Sequence, residues 1–290
     1  MFCGCGPAGP RPAAAKHLPS AIDKEAAANM EFQDILYEKY NNRAKITINR
    51  PNNMNMFTNH TLSEMITAFQ SAWTDKEVGA VILTAAGSRA FTIGGTPGET
   101  DAEAQPIEKL PMPSLFAQLL HIIRTIPKPV IAAVNGYAIG GGHVIQVVCD
   151  LTIAASTAKF GQVGPKVGSF DAGYGSAYLS RIVGEKKARE FWYLCRKYTA
   201  EECLQMGLVN AVVPPEELMA ETDKWVDTIV KSSPTSLAAL KMSFNADSAS
   251  VWGIQSMAGV ALGMYFNTDE AKECSRAFSE KRDPDIAQYR

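Results

Sequence analysis

The chain has 290 residues, of which 46% are apolar, so it can bury a substantial core as one large domain or two small ones. A net charge of −2 argues against a nucleic-acid-binding surface, and no apolar run reaches the ~18 residues of a membrane span. The six cysteines form no CxxC pair, which argues against a disulfide framework or a metal site and predicts a soluble, cytoplasmic protein.

The first 29 residues differ in composition from everything that follows. They are rich in Ala, Pro and Gly and show no periodic apolar pattern. Such a segment cannot bury enough apolar surface to fold, so we predict a disordered extension over residues 1–29.

The next elements alternate between strand and helix patterns. Residues 35–48 alternate as strands do, Arg50-Pro51 ends that pattern, and residues 61–73 carry apolar side chains at helical spacing. The short apolar run 80–84 is typical of a buried parallel strand. Residues 96–113 are rich in proline and acidic residues, which predicts a mobile lid or binding loop.

The alternation continues through the middle of the chain and then becomes helical. The middle elements are a helix (115–126), a strand (129–135), a helix (143–149) and a strand (151–155), which together indicate an α/β fold. After Gly184 a short strand (209–213) lies among predicted helices at 185–195, 200–206, 216–231, 234–247, 251–266 and 269–280. We therefore predict an α/β core over residues 30–214 and a C-terminal helical region over residues 215–290.

Two glycine clusters each follow a predicted strand. They are Gly94-Gly95 and Gly140-Gly141-Gly142, and the second cluster opens a helix. The first N–H groups of a helix have no helical partner, so two converging amides could stabilise a carbonyl oxygen that becomes negative. Neither cluster matches GxxxxGK[ST] or GxGxxG, which argues against nucleotide binding.

The stretch from residue 160 to 175 combines many glycines with Ser169, Asp171 and Lys166. Each glycine costs a helix roughly 1 kcal/mol relative to alanine, so the stretch is predicted to be irregular and to present side chains and amides. The alternative is a glycine-rich surface turn in which Asp171 forms the turn and Ser169 caps it. His143, at the start of a predicted helix, is interpreted as a packed or solvated residue rather than a base.

Five motifs together resemble the crotonase (enoyl-CoA hydratase/isomerase) superfamily over about residues 31–290. They are INRP (48–51), AFTIGG (90–95), PKPVIAAVNGYAIGGG (127–142), CDLTIA (149–154) and FGQVGPKVG (160–168). The resemblance implies a ClpP-like α/β spiral of ββα turns, with C-terminal helices that assemble a homotrimer or homohexamer. It also implies a coenzyme A thioester as substrate, with its enolate oxygen bound by the amides of Gly95 and Gly141. The substrate and coenzyme A contacts that it implies are Ile93, Gly94, Thr96, Tyr137, Ile139, Gly140, Val163, Phe266 and Lys281.

Hydratases and isomerases of this superfamily carry catalytic glutamates at positions that are Val144 and Gly164 here, which argues against simple hydration. The segments 164–198, 206–214 and 244–247 are similar to two narrower families, the 1,4-dihydroxy-2-naphthoyl-CoA synthases and the 2-ketocyclohexanecarboxyl-CoA hydrolases. In these families Ser169 and Asp171 match the proton shuttle. A bicarbonate pocket in the synthases matches Gln162, Gly164 and Trp192, where Gly164 is expected to leave room for the anion.

The chain also departs from the synthase pattern. It has Thr96-Pro97 after the first glycine cluster, no tyrosine in the predicted lid, and Phe266 in place of a C-terminal tyrosine. The resemblance therefore favours hydrolytic opening of a cyclic β-ketoacyl-CoA, with ring-closing condensation as the alternative. An enoyl-CoA hydratase/isomerase and a non-catalytic scaffold are the further alternatives, and no tightly bound cofactor is expected.

Overall fold

Two mainly parallel β-sheets form the framework of the chain. The structure is a computed structural model that describes residues 31–97 and 114–290. The predicted extension (1–29) and nearly all of the predicted lid (96–113) lie outside the described residues. The described strands are β1 (Ile35–Tyr40), β2 (Arg43–Ile48), β3 (Ala80–Ala85), β4 (Ala90–Thr92), β5 (Val130–Val134), β6 (Tyr137–Ile139), β7 (Leu151–Ala155), β8 (Lys159–Gly161), β9 (Lys197–Thr199) and β10 (Ala211–Val213).

The larger sheet has the order β1-β2-β3-β5-β7-β10 and is parallel except for the β1–β2 pair. The region 35–48 is therefore a hairpin rather than one alternating pattern. Its turn is formed by Asn41 and Asn42, which adopt φ of 44° and 62°. Asparagine tolerates this left-handed conformation better than most residues, so the pair can reverse the chain.

The smaller sheet has the order β4-β6-β8-β9, in which β4, β6 and β8 are parallel and β9 is antiparallel to β8. Each of these strands has three residues. Strands this short contain no readable alternation, and the sequence analysis did not identify them. They nevertheless carry the residues that position the candidate site.

The helices cover both faces of the larger sheet. Those in the described part of the chain are α1 (Asn59–Thr74), α2 (Leu115–Thr125), α3 (Gly141–Val148), α4 (Gly164–Val167), α5 (Leu179–Val183), α6 (Glu185–Leu194), α7 (Ala200–Gln205), α8 (Leu218–Ile229), α9 (Pro234–Asp247), α10 (Ser250–Phe266) and α11 (Asp269–Ser279). The predicted α/β fold with a parallel sheet and several C-terminal helices is confirmed. Residues Phe32–Arg290 form one unit.

Strand β3 shows why the central strands lack alternation. Val81 and Leu83 point into the main hydrophobic core, while Ile82 points to the opposite face. That second face is covered by Leu218 and Val226 of α8. Because both faces are buried, each residue of the strand is apolar or small.

The stretch 160–175 is less irregular than its glycines predict. It contains the end of β8, the single helical turn α4, and the start of a π-helical turn at Tyr174–Tyr178. Gly164 lies in the first turn of α4, and Gly168 ends it with a left-handed φ of 72°. Glycine is favoured just after the end of a helix, so these glycines are compatible with a one-turn helix.

Candidate active site

The two glycine clusters meet at one edge of the smaller sheet. Strands β4 and β6 are parallel neighbours, so the chain segments after them emerge on the same side. A Cβ atom built on Gly94 would lie 3.3 Å from the backbone N of Gly141. The structure therefore brings together the two segments that were predicted to supply amides.

The N–H groups of Gly95 and Gly141 are the predicted donors to a negative oxygen. Gly141 is the first residue of α3, so its N–H has no helical carbonyl partner and lies at the positive end of the helix dipole. Phe57 donates its N–H to the carbonyl of Gly94 at 3.0 Å and accepts from the N–H of Thr96 at 2.8 Å. In this parallel bridge the N–H of Gly95 points away from Phe57.

The first turn of α3 packs closely on β4. Gly140 has φ of 57°, a left-handed conformation, and donates its N–H to the carbonyl of Gly161 at 3.0 Å. A Cβ atom at Gly142 would lie 2.0 Å from the carbonyl oxygen of Thr92. Only glycine fits at this contact, so the sequence of the cluster sets the distance between α3 and β4.

Asp171 lies against the first turn of α3. A Cβ atom built on Gly175 would lie 2.7 Å from Cβ of Asp171, 3.0 Å from Cζ2 of Trp192 and 3.1 Å from Cγ2 of Val144. Val144 is three residues after Gly141 and is fully buried. Cβ of Asp171 and Cγ2 of Val144 therefore lie close to the same point, and Val144 is the position at which hydratases of the resembled superfamily carry a glutamate.

Burial raises the pKa of Asp171 to about 6. Counted over all its atoms, Asp171 is half-buried. Protein atoms around the carboxyl group displace water from it, and this disfavours its charged form. A carboxyl group with this pKa can both accept and donate a proton near neutral pH.

The structure contradicts the expected space beside Gly164. A Cβ atom there would lie 2.7 Å from the carbonyl oxygen of Ser169 and 3.2 Å from Cζ3 of Trp192. The one-turn helix α4 causes this crowding, because Ser169 donates its N–H to the carbonyl of Gly164 at 2.9 Å and folds back over it. Gly164 therefore accommodates the backbone of Ser169 rather than leaving room for an anion.

The three residues of the expected bicarbonate pocket are only partly brought together. Trp192 lies next to Gly164, but its single N–H is donated to the carbonyl of Gly175 at 2.7 Å. Gln162 is buried, and its Nε2 lies 3.0 Å from Nδ1 of His143. The indole donor of Trp192 is thus used by the protein backbone, and binding of bicarbonate at these three residues stays a prediction.

His143 is packed inside the core. It is fully buried, and burial lowers its pKa to about 3, so the ring is neutral. Its ring centroid lies 5.2 Å from that of Phe191. It therefore serves packing and the bond to Gln162, and it is not placed as a base.

Several expected coenzyme A contacts flank the glycine clusters. Cγ2 of Val163 would lie 3.6 Å from a Cβ atom on Gly140, and the carbonyl of Ile93 would lie 3.8 Å from it. The carbonyl of Ile139 would lie 3.7 Å from a Cβ atom on Gly94. Val163, Ile93 and Ile139 are thus close to the amides.

Three other expected contacts lie elsewhere on the chain. Tyr137 begins β6, three residues before Gly140, and the ammonium group of Lys197 lies 5.3 Å from its ring centroid. Phe266 ends α10, and Lys281 is exposed beyond α11. No hydrogen bond between described residues connects these three to the glycine clusters.

The end of α10 approaches the site through Tyr265. Its ring centroid lies 5.6 Å from that of Phe170, which stands between Ser169 and Asp171. Burial raises the pKa of Tyr265. A phenol therefore lies near the segment that carries the carboxyl group, one residue before Phe266.

The segment after Asp171 is held by residues that the sequence analysis missed. Gln255 of α10 accepts the N–H of Tyr174 at 3.1 Å, and a Cβ atom at Gly173 would lie 2.7 Å from its Cα. The buried guanidinium of Arg124 donates to the hydroxyl of Tyr178 at 2.5 Å. These contacts come from helices more than 45 residues away in the chain, so no local pattern reveals them.

The indole of Trp192 should stabilise this segment measurably. Trp192→Phe removes the bond to the carbonyl of Gly175, and we expect the free energy of unfolding to fall by about 1 to 3 kcal/mol. Chemical denaturation measures the loss. Trp73→Phe is the matched control, because Trp73 is 41% exposed and its replacement should change little. Equal effects at the two positions would contradict a specific role for the indole bond.

The described residues show neither a metal cluster nor a membrane-spanning helix. Residues 31–97 and 114–290 contain no group of three His, Cys, Asp or Glu side chains placed to hold a metal ion. In the same residues no helix has both the length and the apolar character needed to cross a bilayer.

Comparison with known proteins gives consistent matches along the described fold. The family described as enoyl-CoA hydratase/isomerase matches residues 38–289. An enoyl-CoA hydratase from Mycobacterium avium subsp. paratuberculosis K-10 is 27% identical with a TM-score of 0.79, covering 88% of this chain and 99% of that one. An enoyl-CoA hydratase/isomerase from Pseudoalteromonas atlantica T6c is 27% identical with a TM-score of 0.80, covering 88% and 100%. An enoyl-CoA hydratase subunit from Geobacillus kaustophilus HTA426 is 30% identical with a TM-score of 0.70, covering 88% and 98%.

Proposed function

The chain belongs to the enoyl-CoA hydratase/isomerase family, and from this premise we propose that it opens the ring of a cyclic β-ketoacyl-CoA by hydrolysis. The observation that carries the proposal is Asp171, whose Cβ lies close to the side chain of Val144 and whose carboxyl pKa is raised to about 6 by burial. A carboxyl group with this pKa suits a proton that is taken up and returned within one turnover. Val144 and Gly164 cannot transfer protons, so hydration by the family's usual glutamates is not supported.

In the proposed reaction Asp171 removes a proton from a water molecule, which adds to the ring ketone. The bond between the ketone carbon and the α carbon of the thioester then breaks, and the ketone carbon becomes a carboxylic acid. The electron pair of that bond passes to the thioester as an enolate, whose oxygen is bound by the Gly95 and Gly141 amides. Asp171, oriented by Ser169, returns the proton to the α carbon, so one water molecule is consumed in total.

The ring-closing condensation of the naphthoyl-CoA synthases is the second candidate. It forms a carbon–carbon bond from the same kind of enolate and releases water. The position of Tyr265 beside Phe170 favours it, because a phenol there could polarise a second carbonyl group. The indole N–H of Trp192 counts against it. In the resembled synthases bicarbonate is the base and is expected to lie beside this residue, whereas here the N–H is donated to the carbonyl of Gly175.

Incubation with a panel of cyclic β-ketoacyl-CoA thioesters and, separately, with the open-chain acid thioesters that ring closure would use, followed by mass spectrometry, tests the proposal. Hydrolytic opening adds the mass of one water molecule to the substrate, whereas ring closure removes it. We expect addition of water at a rate that does not depend on bicarbonate. Loss of water that requires bicarbonate would establish the condensation instead, and binding without turnover of any thioester would indicate a scaffold.

We also propose that the chain assembles as a homotrimer or homohexamer through α9 and α10. Both helices expose apolar side chains, among them Met242, Phe244, Ile254, Met257, Val260 and Met264. An exposed apolar surface of this extent is typical of a protein–protein interface. The family's members act on acyl-CoA substrates and are commonly oligomeric, which agrees with this proposal.

The Met257→Glu variant should reduce the assembly to smaller species. Met257 is 76% exposed, so a charge there is harmless to the isolated chain but would be buried unpaired in an interface. Light scattering coupled to size-exclusion chromatography measures the mass. Leu36→Glu, at an exposed position of β1, should leave the mass of the parent unchanged. A monomeric parent, or a variant with the mass of the parent, would contradict the proposal.

A further inference from the structure

We propose that Phe57 is a positioning residue for both amides of the site, acting on Gly95 through its backbone and on Gly141 through its ring. The inference rests on the proposed function, since it concerns the same two amides. Phe57 belongs to none of the motifs that identified the site. It contacts the Gly95 segment through backbone hydrogen bonds and Gly141 through its ring.

The backbone of Phe57 fixes the direction of the Gly95 amide. Its N–H donates to the carbonyl of Gly94 at 3.0 Å, and its carbonyl accepts from the N–H of Thr96 at 2.8 Å. The two bonds bracket Gly95, so the carbonyl of Gly94 and the N–H of Thr96 face Phe57. The N–H of Gly95 is then turned to the opposite side, where a carbonyl oxygen could accept it.

The ring of Phe57 lies against Gly141, the residue that carries the other amide. A Cβ atom built on Gly141 would be 2.9 Å from Cζ of Phe57 and 3.4 Å from Cζ of Phe116. The two rings are stacked, with centroids 5.3 Å apart and an interplanar angle of 14°. They form an apolar wall against the first residue of α3, which limits where the Gly141 amide can move and keeps water from that side.

Phe57 is itself held firmly, as a positioning residue must be. It is 4% exposed and immediately precedes Thr58, the N-cap of α1. Thr58 and Thr61 form a capping box, and the hydroxyl of Thr61 donates to Asp34 at 2.5 Å. These bonds fix the start of α1, and with it the position of the Phe57 ring.

Replacing Phe57 by leucine separates the two contacts. The backbone bonds to Gly94 and Thr96 can persist in Phe57→Leu, whereas the flat ring against Gly141 is lost. Phe69→Leu is the matched control, because Phe69 is a fully buried phenylalanine of α1 and is not among the nearest neighbours of Gly94, Gly140, Gly141 or Gly142. Both variants lose a similar volume from the core, so a purely structural role would affect them alike.

The readout is the ¹³C resonance of a bound thioester carbonyl, which shifts downfield when amides polarise the group. The probes are acetyl-CoA and cyclohexanecarbonyl-CoA labelled at the carbonyl, because neither contains the β-keto group on which ring opening depends. We expect Phe57→Leu to lose at least half of the shift that the parent and Phe69→Leu produce. We also expect kcat on the parent's substrate to fall more than about tenfold with KM little changed.

The outcomes distinguish failure of the proposed function from failure of the positioning role of Phe57. If the parent shifts neither carbonyl resonance, the two amides do not bind an acyl-CoA carbonyl, and the proposed function fails together with this inference. If the parent shifts the resonance and Phe57→Leu retains the full shift, the positioning role alone is overturned. Phe57→Met, which keeps the length of the side chain without the ring, answers the same question should the leucine variant not fold.

Discussion

The Asp171→Asn variant is expected to lose turnover of cyclic β-ketoacyl-CoA by about 10²- to 10⁴-fold in kcat, because an amide cannot carry the shuttled proton. The substitution preserves the shape of the side chain, so the affinity for the thioester should change little. Steady-state kinetics with detection of the opened product by mass spectrometry provide the measurement. Turnover at the parent's rate would end the assignment of Asp171.

The same assignment predicts the pH dependence of the parent. Only the ionised carboxylate can accept a proton from water, so kcat/KM should rise with pH through the pKa of about 6. Asp171→Asn should lack this ascending limb. A limb that survives in the variant would belong to another group.

Asp171→Asn should lower turnover but raise the free energy of unfolding at neutral pH. The pKa of Asp171 is raised from 3.8 in the unfolded chain to about 6 in the folded one, so the folded state binds this proton more tightly. The resulting contribution to the free energy of unfolding is complete below pH 3.8 and is lost as pH rises through 6. Above that pH the buried carboxylate costs up to about 3 kcal/mol, a cost that asparagine does not carry. We expect the variant to unfold at higher denaturant concentration than the parent at pH 7.5, and at a similar concentration at pH 4.

Asp283→Asn is the control for both measurements, because Asp283 is exposed in the C-terminal segment. It should change neither the turnover nor the pH dependence of stability. Loss of turnover in Asp171→Asn together with loss of stability at pH 7.5 would indicate a structural carboxyl group. Loss of turnover with a gain in stability would instead indicate a charge that is maintained for chemistry.

The elements that could be predicted from the sequence are those long enough to show a continuous or repeating apolar pattern. Strands β3 and β5 are buried on both faces and appear in the sequence as continuous apolar runs. Strands β4, β6 and β8 have three residues each and show no pattern, although the glycine clusters directly follow β4 and β6. The clusters were still identifiable, because unusual glycine density after a strand is itself a local signal.

The candidate site was predictable where its members carry a local sequence signal, as the two glycine clusters and the segment of Ser169 and Asp171 do. Ser169 and Asp171 share one segment, and the position of Asp171 beside Val144 agrees with the chemistry expected of it. The role of Phe57 could not be predicted from the sequence. It depends on one isolated β-bridge to Gly95 and one ring contact with Gly141, both of which are distant from Phe57 in the chain. The space beside Gly164 was predicted wrongly, because the sequence does not reveal that α4 folds the chain back over it.

Gly142→Ala is expected to have the largest effect on the fold of any single substitution in the glycine clusters. The new Cβ atom would lie 2.0 Å from the carbonyl oxygen of Thr92 and 2.7 Å from its carbonyl carbon. Both atoms belong to the backbone of β4, which is paired with β6, so neither side can move without disrupting the sheet. We expect the free energy of unfolding to fall by about 3 kcal/mol or more, measured by chemical denaturation.

The same substitution should also separate the two amides, since the contact it breaks sets the distance between α3 and β4. We expect the protein that remains folded to lose about 10²-fold or more in turnover, the loss typical of removing one oxyanion donor. Thr228→Ala in α8 is the control, because Thr228 is an exposed helical residue outside the proposed interface. It should leave turnover unchanged and raise stability by up to about 1 kcal/mol through helix propensity. If the two alanine variants were equally stable and equally active, close packing of α3 on β4 could not be what holds the amides together.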